Sequence, residues 1–191
     1  MEVDIIVTTW GSDEWRVRGS ATAETNSAQH HHFDQVRSAG AHRNAAVDEV
    51  DPHGWIIFLD ADDQLGAGYV DAMLKVAGRT NVLHAPALQL GDAPARVLDD
   101  RDIIHGSNPC PIGTMIHRIA FEMAGRFWDE PAWEDFAMFQ RAVLAGAEIT
   151  FVSDAVYRAA NNPRGRNSTV RNPRWLRRQI QADNQRWLES R

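Results

Sequence analysis

Trp55 to Leu59 form an uninterrupted apolar run that ends on Asp60-Ala61-Asp62-Asp63. Five apolar residues without alternation predict a strand buried on both faces, as in the interior of a parallel sheet. Further strands are predicted near 3–9, 81–90, 113–117 and 148–157, and helices near 36–49, 68–77, 118–124, 132–145 and 173–188. Phe136, Phe139, Gln140 and Val143 recur at helical spacing before Gly146, which acts as a stop. Asn172-Pro173 is an N-cap and first-turn pair; beyond it Leu176, Ile180 and Trp187 fall on one stripe, with Arg174, Arg177 and Arg178 on the other side. Strands alternating with helices predict an α/β layered domain with a largely parallel sheet. His30-His31-His32 reads as a solvated loop, because neighbours on an extended chain face opposite ways and do not share a metal.

Ligands of such sheets sit beyond the carboxyl ends of the strands. On an extended chain Asp60 and Asp62 point the same way, and two carboxylates that close need a cation. Hard oxygen ligands with room for water and phosphate suit Mg²⁺ or Mn²⁺ better than zinc. An EF-hand is excluded, since counting from Asp60 puts Gln64, Leu65 and Asp71 at its fifth, sixth and twelfth positions. A solvated turn after a strand accepts the same residues. Glu134 and Asp135 fall in the first turn of their helix, where the dipole stabilises a carboxylate by about 0.3–1 kcal/mol. That placement predicts an ionised Asp135.

At 191 residues and 43% hydrophobic content the chain is long enough for one well-buried core. No apolar stretch approaches the length of a membrane span, and the acidic start Met1-Glu2-Val3-Asp4 is not a signal peptide. The single cysteine, Cys110, fits a reducing cytoplasm. Charge is unevenly spread. Residues 158–191 carry nine arginines against Asp183 and Glu189, +7, while the rest carries −13 of the net −6. A basic tail is the usual footprint of phosphate contact, and it also suits docking on an acidic body.

Ala41-His42-Arg43-Asn44-Ala45-Ala46, the buried run, Leu59-Asp60-Ala61-Asp62-Asp63 and Gly68-Tyr69 together resemble the central block of family 2 glycosyltransferases of the GT-A fold. Trp133-Glu134-Asp135-Phe136, followed by Arg141 and Gly146-Ala147, resembles the family's acidic motif, and Asp4 to Thr9 its first strand. The resemblance covers about residues 1 to 170. It implies a single GT-A (Rossmann-like) domain over 1–157, with an Arg-rich C-terminal loop and helix, 158–191, packed on it. The implied activity is metal-dependent inverting transfer, hexosyl or pentosyl, from a nucleotide sugar to an acceptor hydroxyl. Asp135, beside Glu134, is then the catalytic base. Thr8 and Thr9 line the base and ribose site, Arg43 orients the acidic cluster or a phosphate, and Asp60, Ala61 and Asp62 meet the donor, with Mn²⁺ or Mg²⁺ on Asp62 and Asp60. Trp128 and Trp133 stack on a sugar or acceptor ring; Arg174 and Arg178 face the acceptor, and an acceptor on DNA is held by Arg171, Arg174, Arg177 and Arg178.

The short length and Val156-Tyr157-Arg158 with Arg166-Asn167 look most like compact bacteriophage-encoded members. That origin implies an acceptor in the host cytoplasm, either a hydroxymethylated base in DNA or a Ser/Thr hydroxyl on a virion protein. Two departures stand out. No consecutive aspartates lie between Thr9 and Arg43, where the family reads the base, and Ala160 takes the place of a metal-binding His, with Asn161 as a substitute. A nucleotidyltransferase and an inactive nucleotide-sugar or nucleic-acid binding module remain alternatives. A phosphatase of the haloacid dehalogenase type is disfavoured, because its Asp-x-Asp normally ends the first strand.

Overall fold

The computed structural model describes residues 2–34, 37–51, 53–99, 102–105, 107–160 and 169–191. In chain order the elements are β1 (Val3–Trp10), α1 (Asp13–Thr25), β2 (Gln29–Phe33), α2 (Ala39–Val50), β3 (Trp55–Leu59), β4 (Gln64–Leu65), α3 (Tyr69–Val76), β5 (Val82–Leu90), β6 (Ile116–His117), α4 (Arg118–Met123), α5 (Glu134–Leu144), β7 (Glu148–Ala159) and α6 (Pro173–Glu189).

The first sheet has strand order β2-β1-β3-β6, with β1 parallel to both β2 and β3 and only the short β6 antiparallel. All five residues of β3 are buried, as expected of a strand flanked on both sides. The second sheet, β4-β7-β5, has β5 and β7 parallel, and reciprocal backbone hydrogen bonds of 3.0 Å between His84 and Met115 join it to the segment before β6. The expected strand over 113–117 shortens to Ile116–His117.

Two elements correct the sequence reading. The three histidines lie in β2, an edge strand in register with Ile6–Trp10, not in a solvated loop. An edge strand has one neighbour and tolerates polar residues. Its alternation is that of a strand: His30 and His32 both reach Thr9 Oγ1, at 2.6 and 3.0 Å, while His31 faces Glu49 on the other side. The preceding α1 has no apolar stripe, and Gly19 and Ala23 are its buried residues. A Cβ at Gly19 would stand 2.4 Å from His30 Nε2, so glycine lets α1 lie directly on the sheet.

α6 packs on α5 through Leu176, Ile180 and Asn184, all buried. Asn184 Nδ2 donates to Ala137 O at 3.1 Å and Gln140 Oε1 at 2.7 Å, and its Oδ1 accepts from Arg141 at 3.1 Å. Among the described residues no helix is long and apolar enough to cross a membrane.

Candidate active site at the ends of β1 and β3

β3 ends at Leu59, and the next residues turn at once: the Asp63 N–H donates to Asp60 O at 3.0 Å. The four residues are therefore not extended, which corrects the basis on which Asp60 and Asp62 were expected to converge. The turn still brings both to one pocket of about 230 Å³, lined also by Thr8, Thr9, Trp10, Trp15, Arg43 and Ala61. Thr9 is buried, with its hydroxyl already bonded to the two histidines. Trp10 stacks on His42 at 4.8 Å, and His42 stacks on Phe33 at the same distance, which fixes the pocket's aromatic wall.

Arg43 occupies the second turn of α2 and is 4% exposed, so the surface ion pair that a lone arginine suggests is not what the fold builds. Its Nη2 donates to Asp60 Oδ1 and its Nη1 to Glu134 Oε1, each at 2.5 Å. Burial alone would lower the guanidinium's pKa. The two carboxylates outweigh it and hold the pKa above the ordinary value.

The three aspartates of the turn divide the work. Asp63 is buried; Tyr157 Oη donates to its Oδ2 at 2.6 Å and the Ala160 N–H to its Oδ1 at 2.8 Å. Burial and then the Asp60 charge push its pKa up to about 7. Asp60 is held by Arg43. Asp62 makes no hydrogen bond or ion pair with a described residue, so its carboxylate is free for a ligand.

Among the described residues no group of three or more His, Cys, Asp or Glu is placed to hold a metal. A zinc cage does not fit such a site. Mg²⁺ or Mn²⁺ does, because these ions take one or two carboxylates and complete their shell with water and phosphate oxygens. At the position expected to carry a metal-binding histidine, Ala160 contributes a backbone N–H to Asp63. Asn161, Arg166 and Asn167 lie outside the described residues.

Opposite Asp60, α5 starts directly after Trp133, whose φ of +61° turns the chain into the helix. Glu134 is buried on Arg43. Asp135 lines a separate pocket of about 290 Å³ with Asn108, Trp133, Phe136 and Arg177. Asn108 Nδ2 donates to Asp135 Oδ2 at 3.1 Å, while the Asn108 Oδ1 accepts from the Cys110 N–H at 3.0 Å. Burial, followed by the adjacent Glu134 charge, pushes the Asp135 pKa up to about 7. This reverses the expectation from the helix dipole: desolvation outweighs it, and the carboxylate becomes a stronger base.

Of the two tryptophans, Trp133 lines the Asp135 pocket, whereas Trp128 lies under the Arg141 guanidinium, 3.9 Å from its ring centre. Arg174 and Arg178 are exposed on α6, and Arg177, between them, is the arginine that reaches the pocket. Asn108 and Tyr157 go unnoticed in the sequence as residues of these pockets, and Arg177 is singled out there only with Arg171, Arg174 and Arg178 as a contact to DNA. For Asn108 the available signal was its place before Pro109 and Pro111, in a loop stiff enough to aim a side chain.

No family model matches the chain, and no curated protein matches it. Solved structures do. S. aureus TarS 1–349 in complex with UDP-GlcNAc superposes with a TM-score of 0.64 at 14% identity, over 85% of this chain and 59% of that one. The same TarS segment in complex with UDP gives 0.60 at 14% identity, over 96% and 65%. GalNAc-T7 with UDP, GalNAc and Mn²⁺ gives 0.60 at 8% identity, over 84% and 44%. The chain thus spans less than two thirds of each. At such identities the likeness establishes architecture: a single α/β domain of the GT-A fold with a mostly parallel central sheet.

Proposed function

We propose that the protein transfers a sugar from a nucleoside diphosphate sugar to an acceptor hydroxyl with inversion, assisted by a divalent metal ion. The observation that carries this reading is the pair of hydrogen bonds donated by Arg43, which ties the strand-end carboxylate of one pocket to the helix start that bears Asp135. An inverting displacement needs a diphosphate site and a proton acceptor on opposite sides of one sugar carbon, and a single guanidinium holds these two sites in fixed relation. The likeness to structures that contain UDP, UDP-GlcNAc, or UDP with GalNAc and Mn²⁺ supports a uridine diphosphate sugar as the donor to test first.

In this reading Thr8, Thr9 and Ala61 line the nucleoside site, and Asp60 would contact the ribose or help to hold the metal. Asp62, with Asp60, would hold Mn²⁺ or Mg²⁺ together with the diphosphate, and the bound ion would neutralise the departing charge. Asp135, oriented by Asn108, takes the acceptor proton as the hydroxyl attacks; base assistance of this kind is worth about 10²–10⁴-fold. Arg43 and Glu134 fix the distance between donor and base.

For the acceptor, exposure of Arg171, just before α6, and of Arg174 and Arg178 along it supports DNA carrying a hydroxymethylated base, as the resemblance to phage-encoded members suggests, over a virion protein hydroxyl. A screen of nucleotide sugars with Mn²⁺, reading nucleoside diphosphate release with and without each acceptor, tests the assignment. Release that depends on donor, metal and acceptor is expected. Pyrophosphate as the product would make the protein a nucleotidyltransferase, and donor binding without turnover would make it a binding module.

A further inference from the structure

We propose that the pocket beside Asp135 takes an acceptor bearing an anionic group, phosphate or carboxylate, next to the hydroxyl that reacts, and that Arg177 is the residue that reads it. The inference rests on the glycosyl-transfer reading above and adds the chemical class of the acceptor's anionic group; phosphate agrees with an acceptor on DNA, and carboxylate would replace that acceptor.

Asp135 and Arg177 line the same pocket of about 290 Å³, which is large enough for one sugar-sized group. Arg177 is half-buried, with its guanidinium 6.0 Å from the centre of the Phe136 ring. It forms no ion pair with a described residue, in contrast to Arg43, Arg79, Arg118, Arg126 and Arg186. Asp135 lines the same pocket but makes no ion pair with it, and the hydrogen bond to Asp135 Oδ2 comes from Asn108. A guanidinium that has given up part of its water at the mouth of a pocket is matched best by an anion brought by the ligand, because its planar fork binds phosphate and carboxylate through paired hydrogen bonds. Trp133 supplies an apolar wall for the remainder of the group. Asp135 and Arg177 thus present one acceptor for a proton and one donor set for a negative charge. A hydroxyl near an anionic substituent satisfies both, and a neutral alcohol satisfies only the first.

The test uses the whole protein saturated with UDP, so that small anions do not enter the donor pocket, and follows the Trp133 indole resonance by NMR at constant ionic strength. Ethyl phosphate, propionate and propanol are titrated in turn. Ethyl phosphate or propionate should saturate the shift and propanol should not, and whichever binds more tightly identifies the phosphate or the carboxylate as the natural group. Arg177→Gln should weaken the anion at least tenfold. Arg186→Gln, which removes a charge from the same helix at a distance from the pocket, should leave it unchanged. Absence of saturation in the unaltered protein, equal binding of propanol, or equal loss in both variants would overturn the proposal. Failure of UDP itself to bind would refute the donor reading alone, since the Trp133 titration can then be read without UDP.

Discussion

Arg43 Nη2 and Asp60 Oδ1 lie 2.5 Å apart, and the same guanidinium reaches Glu134 from a site that is 4% exposed. Removing a buried partner leaves uncompensated charge and typically costs about 3–5 kcal/mol. Arg43→Met should therefore lower the melting temperature sharply. Arg43→Lys keeps the charge without the fork, and should recover part of the stability while leaving the rate depressed, because one ammonium does not hold both carboxylates in line. Equal rates for Arg43→Lys and the unaltered protein would remove Arg43 from the alignment of the two pockets.

Asp62 and Asp63 are neighbours with opposite expected behaviour. Asp62 has no partner among the described residues, so Asp62→Asn should shift stability by less than about 0.5 kcal/mol while abolishing turnover and metal-dependent UDP affinity. Asp63→Ala strips partners from the buried Tyr157 hydroxyl and the Ala160 N–H, and should cost about 1–3 kcal/mol. Calorimetric melting paired with UDP titration in Mn²⁺ and in chelator reads both. Undiminished metal-dependent affinity in Asp62→Asn would place the ion elsewhere.

Asp135 should impose a pH profile. A base acts deprotonated, so with its pKa pushed up to about 7 the rate should be low at pH 5, rise through about 7 and level above it. Asp135→Asn should retain donor binding, lose about 10²–10⁴-fold in rate and flatten the profile. A rate already flat from pH 5 to 8 would mean that the carboxylate is ionised throughout, as the dipole argument alone predicts.

The parts of this fold legible in the sequence were those in which burial and periodicity coincide. β3 was predicted with its observed ends because every one of its residues is apolar, and α5 because Phe136, Phe139 and Val143 repeat before Gly146. α1 left no such trace: its contact face is Gly19 and Ala23, and small residues that allow close approach carry no hydrophobic signal. β2 was hidden by three histidines whose partners, Thr9, Ser20 and Glu49, are distant in sequence. In the site, the acidic turn was visible as composition. Which aspartate is withdrawn from the pocket depended on Tyr157, 94 residues away from Asp63. Arg177 was indistinguishable from Arg174 and Arg178 because one helical face of charge does not reveal which member meets Phe136.

His84 provides a stability test away from the site. It is 1% exposed, and neither ring nitrogen has a hydrogen-bond partner among the described residues. Burial pushes its pKa down to about 4, so the folded state favours the neutral ring. As pH falls from about 6.5 to 4 the unfolded chain takes up the proton first, and stability present above 6.5 is lost progressively, by roughly 1–3 kcal/mol. His84→Phe should remove that acid-side slope from denaturation midpoints measured across this window. An unchanged slope would assign the acid sensitivity to other groups.

The exposed arginines at the start of α6 and just before it decide between a DNA acceptor and a merely solvated face. Leu176, Ile180 and Asn184 already anchor the helix to α5, so Arg171, Arg174 and Arg178 are not needed for docking. Each phosphate neutralised on duplex DNA adds about −0.9 to the slope of log affinity against log salt. Three such contacts predict a slope of about −3. Replacing the three arginines by Gln should flatten the slope toward zero while leaving the melting temperature and donor hydrolysis unchanged. A protein acceptor predicts no counterion-release slope in the unaltered chain, and a tail held on the acidic body by charge predicts a lower melting temperature for the triple variant. The measurement is binding of a labelled duplex at several salt concentrations for both forms, beside a melting curve; a flat slope in the unaltered protein would reject DNA as the acceptor held by α6.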